Sequence, residues 1–262
     1  MHGTIHVSDA VNWGHSLNRG LVSWWLALPG MERGVVMRDI ARRNHGTLIN
    51  GPLLETGPNG FGSVLFDGSD DRVDLATQFS VANGVTCTAW IRPTTVVGGN
   101  YAIRANKKTM LSTTGPAIRW WPDTDITTVD DNVFTLAVDE WRFVGITQVG
   151  TTYAFYVDGK PGRTDTTVAL DDTDDKANIG SFATASFLWS GSIADVRDYN
   201  RALSAAEMRA LYLQTRTGYP DLLNWHRRRG VSTQVAAGGT GITAVRLAGY
   251  PARLAGAGGL AG

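Results

Sequence analysis

The residues best placed to do chemistry in this chain are aromatic rather than acidic. Arg119-Trp120-Trp121-Pro122-Asp123 ends a β-forming run and enters a polar stretch. An exposed Trp stacks on the apolar face of a sugar ring, and Arg with Asp can hydrogen-bond its hydroxyls. Arg119, Trp120, Trp121 and Asp123 are therefore the candidate ligand-binding residues. Strand alternation offers a competing reading, in which one of the two tryptophans only packs a core. Catalysis of glycosidic cleavage needs two carboxylates flanking one bond, and a strand supplies them at i, i+2 and i+4. The glutamates are Glu32, Glu55, Glu140 and Glu207, and no two lie within twenty residues of one another. Asp123 with Asp125, and Asp172 with Asp174, sit in turn-like stretches and read as solvated loop carboxylates.

Other chemistries find no motif. His2, His6, His15, His45 and His226 form neither an H-E-x-x-H pair nor a Cys/His cluster. There is no G-x-S-x-G elbow and no phosphate-binding G-x-x-x-x-G-K-S/T loop. No metal or cofactor is expected. Acidic and basic residues balance at 24 each, so no net field draws the chain to nucleic acid or an anionic membrane. The run Trp225-His226-Arg227-Arg228-Arg229 could meet phosphate or an acidic partner, but reads more simply as a solvated helix end. Cys87 is the single cysteine and reads as a buried core thiol. Met1 to Gly14 lacks the basic start and apolar core of a signal peptide. The apolar run LVSWWLAL stops at Pro29, too short to span a membrane.

The elements that position these residues are mostly strands. Nine tryptophans and 31 glycines suit a sheet-rich chain with many tight turns. Strand candidates are LVSWWLAL, SVLFDG, RVDL, VTCTAWIRP, YAIR, TMLST, AIRWW, NVFTL, WRFVGITQ, TYAFYVDG and SIADVRDY. Asp158-Gly159 reads as a type I′ hairpin turn, since both residues accept positive φ. One helix pattern is convincing, Ala205 to Gln214. Ser204 and Glu207 form its capping box, and Met208, Leu211 and Tyr212 give it an apolar face. Strands that do not alternate with helices predict antiparallel sheets.

The stretch GSIADVRDYNRALSAAEMRALY, Gly191 to Tyr212, resembles the closing strand and helix of laminin-G-like domains of the concanavalin A-like lectin/glucanase superfamily. GLVSWW, Asp39 with NHGTL, LFDGSDDRVDL, VTCTAWIRP, WRFVGITQ and YVDG follow in the order of that family. The resemblance implies an all-β, two-sheet antiparallel jelly-roll sandwich, one sheet concave and one convex, with one short C-terminal helix. It makes His45 a structural loop residue. The family's catalytic E-x-D-x-E strand is absent. Relatives often hold a structural calcium through the first aspartate of an IDDVRIY pattern, which is Ala194 here. With Arg42 and Arg43 in the loop after Asp39, the expectation is no calcium.

Three regions follow: an N-terminal arm at 1–20, the jelly roll at 21–216, and a basic link with an Ala/Gly-rich arm at 217–262. Val235, Ile242, Val245, Leu247, Tyr250, Leu254 and Leu260 punctuate that last arm. The Ala/Gly-rich end reads most simply as a flexible tail, and alternatively as an extended arm that orders against another subunit; terminal segments suited to docking make a homo-oligomer the expected assembly. The expected function is a non-enzymatic surface protein, such as a phage virion decoration or fibre-like protein. Its location is then the virion surface, or another extracellular place reached without a cleaved leader. A carbohydrate-binding adhesin acting through the concave face is the alternative, and an atypical polysaccharide hydrolase or lyase the remote one.

Overall fold

The computed structural model describes residues 10–27, 36–41, 44–58, 60–76, 84–97, 99–105, 110–123, 127–170, 177–182 and 186–224. One sheet contains β1 (Leu21–Trp25), β4 (Leu53–Thr56), β5 (Gly62–Asp67), β7 (Val85–Pro93), β12 (Arg142–Val149), β13 (Thr152–Val157), β14 (Lys160–Thr166) and β16 (Ser190–Tyr199). Its order is β14-β13-β12-β7-β16-β5-β4, with β1 also paired to β16. The other contains β2 (Val36–Met37), β3 (Gly46–Ile49), β6 (Arg72–Leu75), β8 (Asn100–Ala105), β9 (Met110–Thr114), β10 (Ala117–Asp123), β11 (Thr127–Asp131) and β15 (Asn178–Ile179). Its order is β11-β10-β9-β8-β15-β6-β3-β2. All strand pairs among the described residues are antiparallel. We call the two sheets the first and the second.

Alternation builds the core between them. Val85, Cys87, Ala89 and Ile91 of β7 join Val144 and Ile146 of β12, and meet Val73, Ile103, Leu111, Ile118 and Trp120 from the second sheet. The Asp158-Gly159 turn forms as expected, with φ of 51° and 71°. Register shifts interrupt the pairing at several places, and two of them re-aim buried side chains. In β16 the register slips between Ala194 and Arg197, and Asp195 takes a φ of 50°. One extra residue keeps Ile193 and Val196 inward while Ala194 and Tyr199 join the outer cluster. In β8 the slip between Ala102 and Arg104 turns Arg104 toward Asp198 of β16. The resulting ion pair, 2.7 Å long, is buried on both sides. Burial drives the Asp198 carboxyl up from its ordinary value, and raises the neighbouring Cys87 thiol as well.

Helix α1 (Ala205–Arg216) lies on the outer face of the first sheet. Ser204 accepts from Glu207 N and Glu207 accepts from Ser204 N, so the capping box is complete. Met208 and Leu211 pack with Leu21, Trp24, Trp90, Phe143 and Tyr199. Gly145 of β12 makes room, since a Cβ there would lie 2.6 Å from Met208 Cε. The chain on either side belongs to the same layer. Val11 bridges Leu223, Asn224 N donates to Ala10 O, and Tyr219 meets Trp24 edge-on at 5.3 Å. The arm boundaries expected at residues 20 and 216 thus fall inside packed structure, because Val11, Leu17, Tyr219, Leu222 and Leu223 are buried. Residues 1–9 and 225–262, with the basic run and the apolar anchors, lie outside the described residues. NVFTL is not a strand. Val133 N turns back to Asp131 Oδ1 and Leu136 N reaches Pro116 O, so Leu136 is buried without a ladder while Val133 stays exposed.

Candidate functional site

The predicted quartet divides across the second sheet. Trp120 points inward: it is buried, and its Nε1 donates to Gln148 Oε1 at 2.6 Å. It is therefore a core residue, placed there by the alternation that sends its neighbours out. Arg119 and Trp121 share the outer face. Asp123 is the last residue of β10, and its side chain lies outside the described residues.

Cross-strand pairing assembles what surrounds Arg119 and Trp121. Ala102, Ser112, Arg119 and Asp130 stand in one row across β8, β9, β10 and β11. Arg119 forks onto Asp130, Nε to Oδ1 at 2.6 Å and Nη2 to Oδ2 at 2.8 Å. That bond pushes the Arg119 guanidinium further up from its ordinary value. The guanidinium carbon lies 5.8 Å from the Trp121 ring centroid. Trp121 Nε1 donates to Ser112 Oγ at 3.0 Å, fixing the plane of the indole.

Two residues that the sequence did not single out complete an aromatic shelf. Phe187 lies 5.9 Å from Trp121, and Phe182 lies 5.8 Å from Phe187. Phe187 O accepts from Ala102 N, which ties this loop to the sheet, and Phe182 and Ser186 exchange two backbone bonds within it. Phe187 has a φ of 52°, a left-handed conformation that is costly for a bulky residue. Trp121, Phe182 and Phe187 are only half buried, over a floor of Ala102 and Ala105. The shelf offers flat π surface flanked by a fixed ion pair, which suits the apolar face of a pyranose.

Carboxylates elsewhere serve the backbone. Asp67, Asp70 and Asp71 are the one acidic triad among the described residues compact enough to hold a cation. Asp67 Oδ1 accepts from Ser69 N and Asp70 N, and Asp71 Oδ2 from Asp67 N, so together they close a turn. The Ser69 backbone bond lowers the Asp67 carboxyl, and burial raises that of Asp71. At the position of the family's calcium ligand, Ala194 is buried in the outer cluster. Beside it Asp195 accepts from Trp24 Nε1 at 2.6 Å and from Arg197 at 2.8 Å. Asp39 accepts from the backbone N–H groups of Trp24, Ala41 and Asn44, and its own N–H donates to His45 Nδ1. Asp39 and Asp195 are thus engaged by protein donors, Asp195 by an arginine. Arg42 and Arg43 lie outside the described residues.

With sandwich, helix and outer face in view, the comparisons agree on the fold. The model of the concanavalin A-like lectin/glucanases superfamily matches residues 67–209. The chain belongs to this superfamily. No curated protein matches it by sequence. Among solved structures it is similar to the binding domain of Paraclostridial Mosquitocidal Protein 1 (TM-score 0.60, 15% identity), covering 75% of this chain and 52% of that one. The botulinum neurotoxin serotype D binding domain gives 0.59 at 15% identity, covering 76% and 53%. Trypanosoma rangeli sialidase in complex with sialic acid gives 0.57 at 18%, covering 75% and 33%. The chain thus spans about half of each toxin domain and a third of the sialidase. At these identities the likeness is one of fold.

Proposed function

We propose that this superfamily member is a non-enzymatic recognition domain that binds carbohydrate through the outer face of its second sheet. The observation that carries the reading is Trp121, held half-open by Ser112 and Phe187 beside the Arg119–Asp130 pair. Both oxygens of Asp130 are occupied by the Arg119 fork, which argues against a general acid at this face. Two of the structural neighbours are binding domains, of a mosquitocidal protein and of a botulinum neurotoxin, which agrees with a binding role. The proposed setting is a displayed surface, such as a phage virion decoration or fibre-like protein that assembles with further subunits through its terminal segments. Its support is the resemblance of the opening NWGHSLNRGLVSWW to phage- and bacterially encoded single-domain proteins.

A glycan array probed with the purified chain and with Trp121→Ala tests the binding. At least one glycan signal that is lost in a folded Trp121→Ala variant is the expected result. An array on which neither protein binds anything would refute the carbohydrate reading. Light scattering tests the assembly: a strict monomer at all concentrations would remove the oligomer from the proposal.

A further inference from the structure

The outer face of the first sheet carries a second constellation, built from residues far apart in the chain. Glu55 on β4 stands opposite Ser63 on β5, and Ser192 on β16 stands opposite Arg92 on β7. The other three side chains converge on one carboxylate oxygen of Glu55. Glu55 Oε1 accepts from Arg92 Nη2 at 2.8 Å, from Ser63 Oγ at 3.3 Å and from Ser192 Oγ. Arg92 Nη2 also donates to Ser192 Oγ at 3.2 Å. Arg92 lies over the Trp141 ring, its guanidinium carbon 5.5 Å from the centroid. One step along the same strands, the Thr94 and Ser190 hydroxyls lie 2.7 Å apart on the exposed surface.

This cluster differs from an ordinary surface ion pair in what it leaves over. The Arg119–Asp130 pair uses both forks. Here the three bonds crowd onto Oε1, while Glu55 Oε2 and Arg92 Nη1 make none among the described residues. Arg92 Nε is shut away without an acceptor, so Nη1 is the donor left to a visitor. About a third of each side chain stays in solvent, 31% for Arg92 and 27% for Glu55. One open acceptor, one open donor and a tryptophan therefore sit together on a rigid sheet.

We propose that Glu55, Arg92 and Trp141 form a second carbohydrate site, selective for a neutral sugar that presents two adjacent hydroxyls. One hydroxyl donates to Glu55 Oε2 and its neighbour accepts from Arg92 Nη1. A hydroxyl can do either, which a carboxylate or an ammonium cannot. The open Oε2 repels an anionic group, and the open Nη1 repels a cation. Ser190 and Thr94 extend the polar strip for a second sugar unit. The site shares no residue with the Trp121 shelf, so either can exist without the other.

The test uses the full chain and NMR of its tryptophan indole N–H groups, with Trp141 assigned from Trp141→Phe. The probes are the methyl glycosides of mannose, galactose and glucose, with N-acetylneuraminic acid as the anionic counterpart. A saturable shift of the Trp141 indole with at least one methyl glycoside is expected, and none with N-acetylneuraminic acid. Glu55→Gln keeps an acceptor for Ser63 and Ser192 but loses the charge, and should weaken binding about tenfold. Arg92→Lys, which keeps the charge and loses the fork, should weaken it as well. Trp121→Ala should leave the titration unchanged, which separates this site from the shelf. A still Trp141 resonance with all three glycosides, an unchanged affinity in Glu55→Gln, or preference for N-acetylneuraminic acid would overturn the proposal.

Discussion

The two outer faces carry similar aromatic residues and treat them differently. Trp90 points out of the first sheet and Trp121 out of the second, each on a strand of alternating apolar residues. Trp90 is buried because later sequence supplies a lid: Thr215 Oγ1 accepts from its Nε1, and Tyr212 stacks at 5.8 Å. Among the described residues Trp121 is flanked by Phe187, Arg119 and a serine, and stays half open. An outward tryptophan on a sheet is thus no evidence of a ligand until the partner of that face is known. The first sheet shows this within itself, since the end beyond α1 holds the open Glu55–Arg92 pair.

The contrast breaks most visibly if the lid is weakened. Leu211 is fully buried between α1 and the first sheet. Leu211→Ala should cost about 2–5 kcal/mol in urea denaturation, from lost transfer energy and the cavity left behind. Trp121→Ala, on the open face, should cost clearly less despite the larger side chain removed. Equal losses would mean that the second sheet's shelf is structural and the distinction between the faces is void.

A smaller effect comes from the helix start, and it carries a pH signature. Glu207 accepts from Ser204 N and pairs with Arg201 through both oxygens at 2.8 and 3.0 Å. The Arg201 bond, against a raising contribution from burial, brings its pKa down to about 2. A depressed carboxylate stabilises the fold above its unfolded value, and that stabilisation fades as pH falls toward the folded value. Glu207→Ala should therefore lose about 1–2 kcal/mol at neutral pH. The gap to the parent should narrow as pH falls from about 4.5 toward about 2. Denaturation curves at both ends of that range decide it, and a gap independent of pH would remove Glu207 as the cause.

Local signals in the sequence read through to structure where the determinants are close together. The Asp158-Gly159 turn, the Ser204–Glu207 box and the split fates of Trp120 and Trp121 all depend on neighbours within a few residues. The bulge at Asp195 was not legible, because periodicity has no mark for one inserted residue. It decides that Val196 and Asp198 face inward. NVFTL misled because its β-forming composition serves burial of Leu136 in an irregular segment. The remainder of the site rests on register. Asp130 meets Arg119 across a hairpin, Phe187 arrives from a distant loop, and Glu55 collects donors from positions 63, 92 and 192. Spacing along the chain shows none of these.

The smallest effect sharpens the open face itself, at Phe187. Its φ of 52° places a β-carbon against the following carbonyl, a strain of roughly 1–2 kcal/mol that glycine escapes. In return the ring holds Trp121 at 5.9 Å, a contact of about 0.5–1.5 kcal/mol. Phe187→Gly removes both, so its net change in stability should fall within about 1 kcal/mol. Phe187→Leu keeps the strain and loses the aromatic pair, and should be the less stable of the two. Both should weaken glycan binding, since each leaves the Trp121 indole without its neighbour. Thermal denaturation of the pair isolates the strain from the contact. If the leucine variant is the more stable one, apolar bulk at 187 outweighs relief of backbone strain and the strain argument fails.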